Sequence, residues 1–72
     1  MYRVGLRRQA LDDITALPKE YGELVAQHIE QLQRDPRPYG SKKLKGSNEH
    51  SLRVGVYRIL YEIDDDAQTV TV

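Results

Sequence analysis

The chain has 72 residues, with 11 basic and 11 acidic side chains, two histidines and no cysteine. One domain with a thin core is all such a length allows, because a chain of this size buries only about 60% of the surface its unfolded form exposes. A disulfide and a thiolate metal site are excluded, and two histidines are too few for a histidine metal site. No apolar run approaches the roughly 20 residues of a membrane span, and nothing reads as a secretion signal. A cytoplasmic protein without metal or cofactor is the expectation.

The charges cancel in sum but not locally. Between Arg37 and Arg58 stand Arg37, Lys42, Lys43, Lys45, Arg53 and Arg58 against the single acid Glu49. From Asp12 to Asp35 the acids prevail, and after Arg58 there are only acids. Such asymmetry suggests a positive face on a neutral molecule, and local fields rather than the net sum steer a polyanion. Ordinary solvated charge is the plain alternative.

In chain order, Tyr2, Val4 and Leu6 alternate with Arg3, Gly5 and Arg7, the period of a strand with one buried face. Ala10, Leu11, Ile14 and Leu17 then recur at three- and four-residue spacing, which predicts a short helix ended by Pro18. Tyr21, Leu24, Val25, His28, Ile29 and Leu32 form the apolar stripe of a second helix. Gly22 predicts an irregular start, and Asp35-Pro36 an end. Without a partner ligand, His28 reads as a packed or half-exposed helix residue.

Arg37 to Glu49 is rich in Pro, Gly, Ser and Lys and reads as a loop. Two strands follow, His50–Val54 and Tyr57–Ile63, separated by a bend at Gly55. Asp64-Asp65-Asp66 predicts a turn, and Gln68–Val72 a last strand with Val70 and Val72 inward. The order is β-α-α-β-β-β: an α+β domain over residues 1–72, with two helices packed on one face of a mainly antiparallel sheet. If the apolar side of each strand meets the helices, Arg53 and Arg58 both project from the opposite, open face. Two arginines on adjacent strands, beside a lysine-rich loop, suit phosphate.

The run Leu44-Lys45-Gly46, followed by Leu52-Arg53-Val54-Gly55-Val56-Tyr57-Arg58-Ile59-Leu60-Tyr61-Glu62-Ile63, resembles the signature of RelE/ParE-superfamily toxins of type II toxin–antitoxin systems. Leu32-Gln33-Arg34-Asp35-Pro36 and Leu17-Pro18-Lys19 fit as well, so the resemblance spans essentially the whole chain. It implies a toxin neutralised by a cognate antitoxin in a hetero-oligomer. The RelE-like members are metal-independent endoribonucleases that enter the ribosome and cut mRNA by attack of the 2′-hydroxyl on the adjacent phosphate.

That chemistry needs cations to stabilise the charge of the transition state and a group to manage the proton. Arg58, in the Tyr-Arg pair, matches the position where the family carries such an arginine, and Arg53 falls at a second basic position. Their plain alternative is surface pairing, for Arg58 with Glu62 or the aspartate turn. Lys42, Lys43 and Lys45 are the candidate RNA-binding residues, with a solvated loop as the alternative, while Tyr57 and Tyr61 fall on the apolar face as core. Some RelE-type nucleases carry lysines in the strand that here reads Glu49-His50-Ser51-Leu52; this chain has none there, and His50 is a proton-transfer candidate, with a structural or idle histidine as the plain and commoner alternative. The family also continues past the last strand with a basic residue and then tyrosine or histidine. A chain shortened at its C-terminal end, keeping the fold and losing most catalytic power, is therefore expected. The other functions in view are a ParE-like inhibitor of DNA gyrase and a module that only holds an antitoxin.

Overall fold

The computed structural model describes all 72 residues and places seven elements in order: β1 (Arg3–Gly5), α1 (Arg8–Thr15), α2 (Lys19–Gln31), β2 (Ser41–Lys43), β3 (Glu49–Val54), β4 (Tyr57–Asp64) and β5 (Thr69–Thr71). The strands form one sheet in the order β1-β5-β4-β3-β2. Every pair is antiparallel except β1 with β5, which run parallel with Val4 opposite Val70. The expected α+β layering holds, with one strand more than the alternation predicts.

That extra strand, β2, lies inside the stretch read as loop. Its Ser-Lys-Lys sequence has no apolar alternation to reveal it. It is an edge strand, and lysines on an edge deter further pairing. Its hydrogen bonds are to β3, with Ser41 opposite Leu52, Lys42 opposite Ser51 and Lys43 opposite His50.

Both helices are close to their predicted spans. In α2 the residues that meet the sheet are Val25 and Ile29, followed by Leu32 just past its last turn, all buried. Beneath them lie Leu52, Val54, Ile59, Tyr61, Val70 and Val72, the rest of the core. Burying a side chain such as Leu32, which is 0% exposed, stabilises by about 1.5–3 kcal/mol. α1 buries nothing completely and contributes half-buried Ala10 and Ile14, with Leu17 after its end. Gly22 does not disturb α2: its N–H donates to the Pro18 carbonyl at 2.9 Å, and the helix is continuous. A methyl group there would sit 3.5 Å from the Ile14 carbonyl oxygen, an ordinary contact.

The β3–β4 hairpin turns through only two residues, Gly55 and Val56. Gly55 adopts φ +60°, which a side chain resists and which a tight hairpin with glycine at its first turn position requires. A two-residue turn admits one register. Val54 therefore pairs with Tyr57, Arg53 with Arg58, Leu52 with Ile59 and His50 with Tyr61. No helix is long and apolar enough to cross a membrane.

Candidate functional site on the open face of the sheet

Because side chains alternate across a strand, the register divides the sheet cleanly. Tyr57, Ile59, Tyr61 and Ile63 of β4 point toward the helices with Leu52, Val54 and His50 of β3. Arg58, Leu60 and Glu62 point the other way, together with Glu49, Ser51 and Arg53 of β3 and Lys42 of β2. The two arginines read from the sequence are thus directly opposite each other on the bare face, and both are exposed.

Like charges placed opposite across a strand pair are destabilising. Here no carboxylate offsets them: neither Arg53 nor Arg58 belongs to any ion pair. Arg53 is steadied only by its Nε–H, which donates to the Gly55 carbonyl at 3.2 Å. Glu62, the partner that a purely structural Arg58 would take, is engaged by Arg7 instead. The Arg7 guanidinium lies 3.2 Å from Glu62 and 3.9 Å from Glu49. Those two carboxylates are themselves cross-strand partners, so Arg7 neutralises a second like-charge pair on the same face.

The three lysines separate. Lys42 shares the open face, one row along from Arg53. Lys43 stands opposite His50 on the helix side, and Lys45 lies beyond β2 in the turn between β2 and β3. Only Lys42 joins the arginines by register.

His50 does not serve as the proton-transfer group for these arginines. Its side chain points to the helix side, is 7% exposed and stacks on Tyr61 with ring centroids 5.6 Å apart. Its Nδ1 is buried without a hydrogen-bond partner. Burial, with Arg37 and Lys43 nearby, holds its pKa below the ordinary value against the weaker pull of Asp65. Tyr61 is fully buried, its hydroxyl donating to the Pro36 carbonyl at 2.8 Å, and burial raises its pKa. The reading of Tyr61 as core holds; Tyr57 is half-buried against Tyr21.

A further cluster lies at the end of the sheet remote from the arginines. Arg37 grips Asp65 through two hydrogen bonds of 3.2 and 2.9 Å, and the Tyr2 hydroxyl donates to the same carboxylate at 2.6 Å. Hydrogen bonds from Arg37 and then Tyr2 hold the Asp65 carboxyl below its usual pKa. Nothing in the sequence announces this cluster, because its members come from three distant segments. Between α1, α2 and β4 runs an apolar groove of about 380 Å³, walled by Ala10, Ile14, Leu17, Val25, Ile29 and Ile59 among others, with Arg58 at its rim. Along Tyr57–Tyr61, β4 has β3 on one side and no strand on the other, since β5 pairs only with Glu62–Asp64.

Two helices packed on a five-stranded, mostly antiparallel sheet is the architecture of solved RelE toxins. The comparisons carry this further: residues 4–72 match the model of the ParE toxin of the type II toxin–antitoxin system parDE, and the chain belongs to that family. Among solved structures, it is similar to a chain of the RelBE2 toxin–antitoxin complex from Mycobacterium tuberculosis. The identity is 33%, the TM-score is 0.86, and the match covers 97% of this chain and 89% of that one. The fold is shared with the archaeal RelE–RelB complex from Pyrococcus horikoshii, at 24% identity and TM-score 0.87, covering 97% of this chain and 86% of the other. It is shared too with the intact Escherichia coli RelBE complex, at 21% identity and TM-score 0.84, covering 100% and 90%. No curated protein sequence matches.

Proposed function

We propose that this toxin acts on RNA in the RelE manner, as a ribosome-dependent mRNA endonuclease that grips the scissile phosphate with Arg53 and Arg58. The observation that carries the reading is the unneutralised cross-strand arginine pair. A fold gains nothing from two opposed guanidiniums, whereas a phosphate between them removes the repulsion and accepts hydrogen bonds from both planar forks. In the proposed reaction the 2′-oxygen bonds to phosphorus and the bond to the 5′-oxygen breaks. The 2′-proton passes to a base, and the leaving oxygen gains a proton. The arginines stabilise the charge that gathers on the non-bridging oxygens. Lys42 extends the cationic surface along the RNA strand. The partner that silences the protein is its antitoxin, in line with the toxin–antitoxin complexes among its structural neighbours.

A second reading, inhibition of DNA gyrase in the ParE manner, is favoured by one specific feature. The proton-transfer candidate read from the sequence is not beside the arginines: His50 faces the helices, and the open-face carboxylates Glu49 and Glu62 are engaged by Arg7. Glu62 is four residues from Arg58 along β4, on the order of 13 Å at strand spacing. A protein-targeting toxin needs no such group.

Expression of this chain without antitoxin, with mRNA ends mapped and plasmid supercoiling followed in parallel, tests the two. New mRNA ends that vanish in Arg58→Ala support the nuclease. Growth arrest with gyrase poisoning and intact mRNA overturns it in favour of the ParE reading. Antitoxin binding with neither effect leaves a module that only holds its partner, and also overturns it.

A further inference from the structure

β4 is incompletely paired. β3 accompanies it from Tyr57 to Glu62, whereas on its other side β5 pairs with Glu62, Ile63 and Asp64 only. The two-residue turn decides which backbone groups are left over. In such a hairpin the residues flanking the turn, Val54 and Tyr57, exchange hydrogen bonds, and the bonding side then alternates along the strand. Tyr57, Ile59 and Tyr61 therefore address β3. The N–H and C=O groups of Arg58 and Leu60 point the other way, to an edge without a strand, just as those of Glu62 address β5.

The apolar groove opens on this edge. Tyr57, Arg58, Ile59 and Leu60 all line it. Successive side chains of a strand point to opposite faces, so four in a row border one groove only where it reaches around the edge. On the helix side it is walled by Ala10, Ile14, Leu17, Val25 and Ile29, and its volume of about 380 Å³ falls in the range of ligand sites. On the open face it is bordered by Leu60, 45% exposed, and by Arg58, which has no carboxylate partner. Unused backbone donors and acceptors beside an apolar pocket suit an extended peptide that joins the sheet as a strand.

We propose that the edge of β4 at Arg58 and Leu60 binds an extended segment of a protein partner as an added strand, in line with β5 and antiparallel to β4. The β4–β5 register dictates what that segment carries. Glu62 faces Thr71, so Val72 falls opposite Tyr61, and the added strand begins opposite Leu60. Its first residue lies beside Leu60 on the open face and is apolar. The second, opposite Ile59, points into the groove and is a large aliphatic. The third lies beside Arg58 and is acidic, because it meets a guanidinium that the fold leaves unneutralised. The fourth, opposite Tyr57, returns to the helix side and is apolar again. A second copy of this chain fits poorly. Two β4 edges paired over Tyr57–Tyr61 would set Arg58 of each copy diagonally across from the other, adding like-charge repulsion to a pair that already has it. On the RNA reading above, the segment's carboxylate and the phosphate exclude one another at Arg58, so docking silences the toxin. That consequence rests on the RNA reading; the docking itself does not.

The test is an NMR titration of the full chain with the synthetic peptide acetyl-Val-Leu-Glu-Val-Thr-Ser amide, combined with amide hydrogen exchange. Saturable binding is expected, with slowed exchange at the Arg58 and Leu60 amides and little change at Tyr57, Ile59 and Tyr61, which are already bonded to β3. Methylation of the peptide nitrogen of Glu, which faces β4, is expected to weaken binding about tenfold, and methylation of that of Leu, which faces away, to leave it nearly unchanged. Exchange of the peptide's Glu for Gln is expected to cost roughly two- to fivefold, the scale of an exposed ion pair, and that preference should vanish in Arg58→Ala. No binding, or binding without protection of the Arg58 and Leu60 amides, overturns strand addition. Equal affinity for the Glu and Gln peptides overturns the acidic specification. Protection of the same two amides in the chain alone, with a dimer in sedimentation equilibrium, assigns the edge to a second copy and overturns the proposal. None of these readouts involves RNA, so the docking edge and the RNA reading fail separately.

Discussion

The open face carries two like-charge pairs, built on the same two strands four residues apart and treated in opposite ways. Glu49 faces Glu62, and Arg7 reaches over from the end of β1 to lie against both. Arg53 faces Arg58, and neither has a carboxylate in ion-pair contact. Where the fold brings like charges together for its own purposes, it supplies the counter-ion. Where it leaves them bare, the counter-ion has to come from outside. That difference, more than the presence of arginine as such, supports the proposed phosphate site at this end of the sheet.

The comparison is most strongly broken by Arg58→Ala. Removing a donor aimed at developing charge is expected to lower RNA cleavage on the order of 10²–10³-fold. Folding stability, followed by urea denaturation, should hold or rise slightly because a repulsion disappears. A variant that loses activity by unfolding would refute this assignment. At the other end, Arg7→Ala should destabilise by about 0.5–1 kcal/mol, as the two glutamates then face each other directly. Added salt should reduce that deficit by screening, and a deficit independent of salt would show that Arg7 acts by packing.

Gly22→Ala sharpens the comparison by raising the background stability. The new methyl group meets only an ordinary contact, and the helix gains about 0.4–1 kcal/mol, measurable as a higher urea midpoint. The smallest effect at neutral pH comes from His50. Its folded pKa is depressed by burial and by Arg37 and Lys43, so below about 6.5 the unfolded chain binds the proton first. Its stability contribution is complete above that pH and is lost as pH falls toward the folded value. His50→Gln should flatten this acid limb in a pH series of unfolding curves.

The elements with one apolar face were legible because burial writes its period into the residues: Val25, Ile29 and Leu32 at helical spacing, Tyr57, Ile59 and Tyr61 at alternate positions. The same alternation put Arg53 and Arg58 on the bare side, and the two-residue turn at Gly55-Val56 makes that register the only one available. β2 escaped because it is a polar edge held by backbone bonds alone. Arg7, Asp65 and Tyr2 escaped because each finds its partners far away in the chain, where no local pattern reports them. His50 was left between two readings for a different reason: a histidine among polar residues looks available, and only the register with Tyr61 shows that it lies under the helix layer, as the structural alternative had it.

The most direct measurement is cleavage of an mRNA on programmed ribosomes by the purified chain, set beside Arg58→Ala and Arg58→Lys. A planar, two-pronged grip on phosphate predicts loss in the first and only partial recovery in the second, since an ammonium restores the charge without the fork. Equal cleavage by all three proteins would contradict the arginine pair as the phosphate site.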